Sequence, residues 1–436
     1  MNKVLKNTSW ILIGNIVRII ISFIISILTT RYLGPNNLGS ITYVQSYVTI
    51  FTAIINLGIN GVIINEFIKD KKSEGKILGT SIVIRLFLGI ISSIVFLPIL
   101  NLIEKSDSTS IKIAILLAIQ FPFLCLDTIQ YWYQSKLKSK YPIIIQTSAY
   151  IIVSTFKIIL IIMKASVEWF AFAISLDVIL LGIFYIILYK RHQTQKLEFS
   201  KEIMKRMIKK CMPFVLSSLM VVIYGQMDKV MIKLLLSNKT AVGLYSIALT
   251  VANLIAFLPN AILESARPII LESKQKSEDL FHKRFCQSSA LVFWICILYS
   301  LVITVFSKLI LQILYGNQFL DASACLKIVV WYTAFSYIGS AKSIWLIANN
   351  KNKYVFIFSA MGALINLVLN YCMIPKYGIN GAAFATLLTQ ILVNFILPII
   401  FKETRKYSQY IFQAIILKNI NIKEIINKIK ILKLRR

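Results

Sequence analysis

Between Ile77 and Leu100 the chain reads ILGTSIVIRLFLGIISSIVFLPIL, with Arg85 its only charge. About 20 mainly apolar residues carry a helix across the hydrocarbon of a bilayer, and this stretch meets that length. It is one of a series. Comparable runs lie near 9–30, 41–63, 113–132, 143–163 and 168–189, then 213–235, 243–263, 286–306, 323–347, 354–374 and 378–401. Composition points the same way. Of 436 residues, 57% are hydrophobic and 15% charged, against about 45–50% apolar and roughly 25% charged in soluble domains. The expected fold class is an all-α, polytopic integral membrane protein of about twelve transmembrane helices. The first run is too long for the apolar core of a signal peptide and lacks a small-residue cleavage site.

The formal charge is +30, which in a soluble protein would point to nucleic acid. Its distribution gives another reason. With the N-terminus inside, inward segments hold 34 Lys and Arg and outward loops hold 7. The remaining seven lie within spans, which accounts for all 48. Cytoplasmic loops carry excess Lys and Arg, so both termini are expected in the cytoplasm and no nucleic-acid partner is needed.

The six cysteines form no C-x-x-C pair, and both histidines, His192 and His282, fall in basic loops. No metal site, disulfide framework or cofactor is expected. No G-x-x-x-x-G-K-[ST] occurs, so the chain carries no ATP-binding P-loop of its own.

The most basic connection, near 190–212, divides the spans six and six. Duplicated six-span halves around a central cavity are a transporter architecture. The expected organisation is an N-terminal half over 1–200, a C-terminal half over 201–408 and a basic cytoplasmic tail over 409–436. The tail mixes Ile and Leu with Lys, which suits either a basic helix on the inner leaflet or a disordered basic segment.

Two motifs carry a family resemblance. Arg31-Tyr32-Leu33-Gly34-Pro35, then Leu38-Gly39, then Asn56-Leu57-Gly58-Ile59, resembles the opening of Wzx-type polysaccharide repeat-unit flippases. Ile374-Pro375-Lys376-Tyr377-Gly378-Ile379-Asn380-Gly381-Ala382-Ala383 is similar to the same family's final hairpin. These flippases belong to the MATE-like multidrug/oligosaccharidyl-lipid/polysaccharide exporter superfamily. The resemblance implies a cargo of oligosaccharide joined by diphosphate to a polyprenyl lipid, moved across a bacterial inner membrane for O-antigen or another surface polysaccharide. It also implies membrane lipids, a polysaccharide polymerase and a chain-length regulator as partners. Read physically, Gly34-Pro35 ends one helix and turns the chain, and Gly378, Gly381, Ala382 and Ala383 let helix backbones approach closely.

Polar residues inside spans are the candidates for contact with cargo. On the first span Asn15, Arg18, Ser22, Ser26 and Thr29 recur at helical spacing, and on the second Gln45, Thr49, Thr52, Asn56 and Asn60 do the same. Interhelical hydrogen-bonded packing is the alternative for the amides and hydroxyls. Buried charges are more telling, because a central charge costs roughly 2.5–3.5 kcal/mol on insertion scales. Arg18, Arg85, Lys157 and Lys229 are candidate cavity cations, with a structural ion pair as the alternative for Arg18, Arg85 and Lys157; Asp127 is the candidate partner of Arg18. Asp127, Asp177 and Asp228 are candidates for ion coupling. Glu264 and Arg267, at the inner end of the eighth span, are either a gate or boundary charges. Lys233, Lys327 and Lys342 lie close enough to span ends to snorkel.

Arg binds phosphate oxygens bidentately and Lys supplies a point charge, so a cationic interior suits the cargo that the resemblance implies. A drug/cation antiporter of the same superfamily would want carboxylates, yet in-span Arg and Lys outnumber Asp seven to three. A membrane-bound polysaccharide polymerase would need an external active site, for which the short outward loops leave little room. The expectation is a carrier, not an enzyme.

Overall fold

A computed structural model describes residues 2–104, 107–193 and 195–417. The chain is all-α: among the described residues, nine stretches are long and apolar enough to cross a membrane. Two of them are broken internally. Gly34 adopts φ 69°, a region where a side chain is strained, and Pro35 follows it, so one stretch divides into α1 (2–33) and α2 (35–56). Gly378, at φ 57°, divides another into α12 (353–377) and α13 (379–400).

Between the breaks run a short α3 (Asn60–Lys69), then α4 (Glu74–Ile103), α5 (Ser108–Ser135), α6 (Lys140–Ile162) and α7 (Val167–His192). They are followed by α8 (Lys201–Leu236), α9 (Lys239–Lys276), α10 (Glu278–Tyr315) and α11 (Ala322–Ala348). A last short helix, α14, covers Arg405–Ile415. Leaving out α3 and α14, twelve long helical segments result, and the chain is a multi-pass integral membrane protein. The tail beyond 417 lies outside the described residues.

Two compact units divide the chain. Unit 1 holds Met1–Leu244 and Ile313–Phe319; unit 2 holds Tyr245–Gln312 and Leu320–Arg436. The unit 1 core packs Ile63, Phe67, Trp132, Tyr133, Tyr185 and Met207. That of unit 2 packs Phe281, Phe285, Cys296, Trp345, Phe358 and Tyr407. Ile94, Leu102, Ile162, Leu298, Val305 and Leu364 stay exposed. Helices with apolar outer surfaces have lipid as their solvent.

Three local expectations need correction. The second span ends at Asn56 and not at 63: Leu57 and Gly58 take positive φ and turn the chain. Asn60 therefore starts α3 and is not part of the second span. The central basic connection is short, because α7 runs to His192 and α8 starts at Lys201. Lys342 does not snorkel. It is 5% exposed, and its ammonium donates to Val393 O (2.9 Å) and Asn394 Oδ1 (2.8 Å). A π-turn over Leu392–Ile396 puts that carbonyl within reach.

Candidate transport site

Most of the candidate residues sit in unit 1. Arg85, on α4, is fully buried. Its Nη1 donates to Thr128 Oγ1 (2.7 Å) and to the carboxylate of Asp127, and its Nη2 donates to Asn56 Oδ1. Three helices thus converge on one guanidinium. Asp127 can meet it because α5 is not a uniform α-helix. A tighter 3-10 turn over Leu124–Asp127 shifts the register, and Thr128 Oγ1 in turn donates to Cys125 O (2.6 Å). The Asp127 side chain keeps 32% exposure. Arg85 is the anchor, and Asp127 is the member of the pair that faces open space. Asp127 is therefore the partner of Arg85 and not of Arg18.

Arg18, half-buried on α1, lies with its guanidinium 5.5 Å from the centre of the Tyr150 ring on α6. The charges of Arg18 and Lys157 both reach Asp177 on α7. Asp177 Oδ1 is buried and has no hydrogen-bond partner among the described residues. A buried acceptor left open is costly, unless water or a ligand group completes it. Tyr185 links the two clusters. Gln146 Nε2 donates to its hydroxyl (2.8 Å) and to Gln130 Oε1 (2.9 Å), and Tyr185 lies in the fields of both Asp127 and Arg18. Unit 1 therefore contains a polar interior in which Arg18, Arg85 and Lys157 meet only two carboxylates, Asp127 and Asp177, among the described residues.

The other candidates are placed differently. Gln45 Oε1 is buried without a partner among the described residues. The side chain of Asn15 lies outside the described residues. On α8, Lys229 Nζ donates to Gln226 Oε1 (3.2 Å), beside a buried Asp228. Glu264 and Arg267, on α9 in unit 2, form an exposed pair at 2.8 Å three residues apart.

Sequence reading misses Gln146, Tyr150 and Tyr185. Gln146 and Tyr150 stand four residues apart on α6, a polar stripe too short to register in an apolar span. It also misses the Lys342–Asn394 site in unit 2, where Asn394 Nδ2 continues to Gln390 Oε1 (2.6 Å).

A sequence model of the family described as polysaccharide biosynthesis protein matches residues 4–274, and one described as MatE matches 213–372. No curated protein matches the chain. Among solved structures, an inward-facing multidrug resistance MATE family transporter of the MOP superfamily superposes with TM-score 0.71 at 14% identity, covering 91% of this chain and 99% of that one. Lipid II flippase MurJ, inward closed, gives 0.72 at 16% identity over 93% and 91%. A MOP superfamily transporter from Pyrococcus furiosus gives 0.57 at 14% identity over 93% and 96%. At such identities the likeness is one of fold.

Proposed function

Because the chain belongs to the polysaccharide biosynthesis protein family, we propose that it is a flippase for polyprenyl-diphosphate-linked oligosaccharide units. It would move them from the cytoplasmic to the outer face of a bacterial inner membrane, to supply O-antigen or another surface polysaccharide. The observation that carries this reading is the charge balance of one polar interior within unit 1, where Arg18, Arg85 and Lys157 meet Asp127 and Asp177 and one cation is left over. A diphosphate supplies the missing negative charge, and a guanidinium receives its oxygens in pairs. One structural neighbour is a lipid II flippase, a carrier of a lipid-linked cargo.

The lipid tail stays in hydrocarbon while the head group crosses through the polar interior. Moving one charge through 100 mV is worth about 2.3 kcal/mol. With an inside-negative potential, outward movement of a diphosphate is favoured by roughly 4–5 kcal/mol if two charges cross uncompensated. Both termini lie in the cytoplasm under this orientation, and delivered units pass to a polymerase and its chain-length regulator.

Deleting the gene is expected to leave lipid-linked units inside and to remove surface polymer. A plasmid copy is expected to restore it. Normal polymer together with altered drug sensitivity would instead support a drug/cation antiporter, since another structural neighbour is a multidrug resistance transporter. The pairing of Asp127 with Arg85 counts against that second reading, because it withdraws one carboxylate from a cationic drug.

A further inference from the structure

Helix α8 is clamped to the rest of unit 1 at both ends. At one end Arg206 and Lys210 pair with Glu66 of α3, with Arg206 Nε at 3.1 Å and Lys210 Nζ at 2.5 Å. At the other, Lys233 Nζ lies 3.3 Å from Glu104, and Lys239, just past the helix, pairs with Asp107. Lys210 and Lys233 are about 35 Å apart along the helix at 1.5 Å per residue, the thickness of a membrane core. A stiff helix tied at both faces cannot swing, so a carrier that must open needs one tie to release.

The two ties differ in chemistry. Glu66 is 4% exposed and serves two cations, so separation strands a buried carboxylate, which is strongly unfavourable. The preceding segment adds Ser200 N to Thr80 Oγ1 (2.9 Å) and Gly75 N to Gln195 Oε1 (2.9 Å). At the opposite end Glu104 is nearly as buried, at 6% exposure, and the difference is that each carboxylate there has reserve partners. Glu104 also accepts from Tyr43 Oη (2.9 Å), and Asp107 also accepts from Ser110 Oγ (2.6 Å) and Ser110 N (3.3 Å). Burial pushes the Asp107 carboxyl up, but Lys239 and Ser110 outweigh it and hold it below the usual carboxylate range. Beside these pairs lies a cavity of about 670 Å³, lined by Asn36, Leu102, Glu104, Asp107, Lys233 and Asn238 among others. Water there can solvate the lysines once they part.

We propose that Glu104–Lys233 and Asp107–Lys239 form a releasable latch on the outer face, and that its opening makes the adjoining cavity the exit port for cargo. The latch rests on the transport reading above and on its orientation. Backbone packing sets its closed position. A Cβ on Gly39 would lie 1.8 Å from Lys239 O, and one on Gly243 would lie 1.9 Å from Pro35 O, so α2 and the start of α9 touch with no room for a side chain. Ser40, next to this contact, is 1% exposed and is covered while the latch is shut.

The test is the rate at which a membrane-impermeant maleimide labels full-length Ser40→Cys protein in intact cells. Slow labelling is expected with the latch intact. Labelling at least about fivefold faster is expected when Lys233→Gln and Lys239→Gln are added, because two largely buried ion pairs are lost together. Exchanging Glu104→Lys with Lys233→Glu should return the slow rate. Lys239→Gln alone, which removes only the pair with the more exposed carboxylate, should quicken labelling by a smaller factor; this arm holds if the double variant fails to fold. Rates unmoved by both the double and the single charge removal would overturn the latch. Labelling that responds as stated while surface polymer is normal in the deletion strain would keep the latch and sink the flippase reading.

Discussion

Arg85 and Asp127 are 42 positions apart in the chain, and the guanidinium of one donates to the carboxylate of the other inside unit 1. The relationship is unequal: the Arg85 side chain is wholly buried, while that of Asp127 is 32% exposed. Breaking a buried pair by removing one member leaves the other charge uncompensated, typically at about 3–5 kcal/mol. Arg85→Ala is therefore expected to lower abundance in the membrane and thermal stability in detergent. Asp127→Asn should also destabilise, because it leaves the wholly buried Arg85 charge without its carboxylate. The double replacement Arg85→Met with Asp127→Leu should recover most of the loss. An Arg85→Ala protein as abundant and heat-stable as the parent would show that the pair does not hold α4 to α5.

Arg18 behaves oppositely if it meets cargo. Its guanidinium lies over Tyr150, and its charge reaches Asp177. Arg18→Ala should leave abundance close to normal and abolish polymer export, with Arg18→Lys recovering part, since charge survives and the bidentate fork does not. Asp177→Asn serves as the comparison: it removes the neighbouring negative charge and should leave the protein folded. A fully exporting Arg18→Ala protein would make α1 a scaffold only.

Gly339 lies under the Lys342 site, where an added Cβ would be 2.5 Å from Asn394 Oδ1. Gly339→Ala should push Asn394 away from the ammonium, leaving a buried cation with one acceptor fewer. Hydrogen bonds to charged groups contribute about 1.5–3 kcal/mol, so a clear drop in thermal stability is expected. Gly225 has nothing within 4 Å of its missing Cβ, and Gly225→Ala should change stability little. Equal behaviour of the two variants in a melting assay would contradict this account of Lys342.

Orientation is open to a direct check. Reporter fusions after Asn36, Ser108 and Asn317 should report outside, and fusions after Lys72, Gln195 and Arg436 should report inside. The expectation follows from the 34-to-7 division of Lys and Arg. A Gln195 fusion reporting outside would remove the even number of crossings before α8.

The helices are legible in the sequence because their signal is local. Twenty apolar residues announce a span, and Gly34-Pro35 announces a break; Gly378, expected to serve close packing, instead breaks a helix at positive φ with nothing within 4 Å of its missing Cβ. Asn60 falls outside the second span because two positive-φ residues, Leu57 and Gly58, end a helix whose polar spacing continues unbroken in the sequence. The partner of Asp127 is hidden for a different reason. A 3-10 turn of four residues changes which way the side chain faces, and uniform helical spacing carries no trace of it. Distance to a span end suggests a snorkelling Lys342, whereas its burial is decided by a π-turn contributed 51 positions later. Long-range partners and local changes of helical register are what the sequence alone withholds.

The most direct test of the central claim uses purified protein in liposomes that carry a fluorescent polyprenyl-diphosphate oligosaccharide. Under an imposed potential, an impermeant reagent reports how much of the lipid has changed leaflet. The account predicts protein-dependent translocation that quickens as the potential becomes more negative on the side the diphosphate leaves, and that Arg18→Ala abolishes. Translocation no faster than in protein-free liposomes, under a potential confirmed to be present, would contradict it.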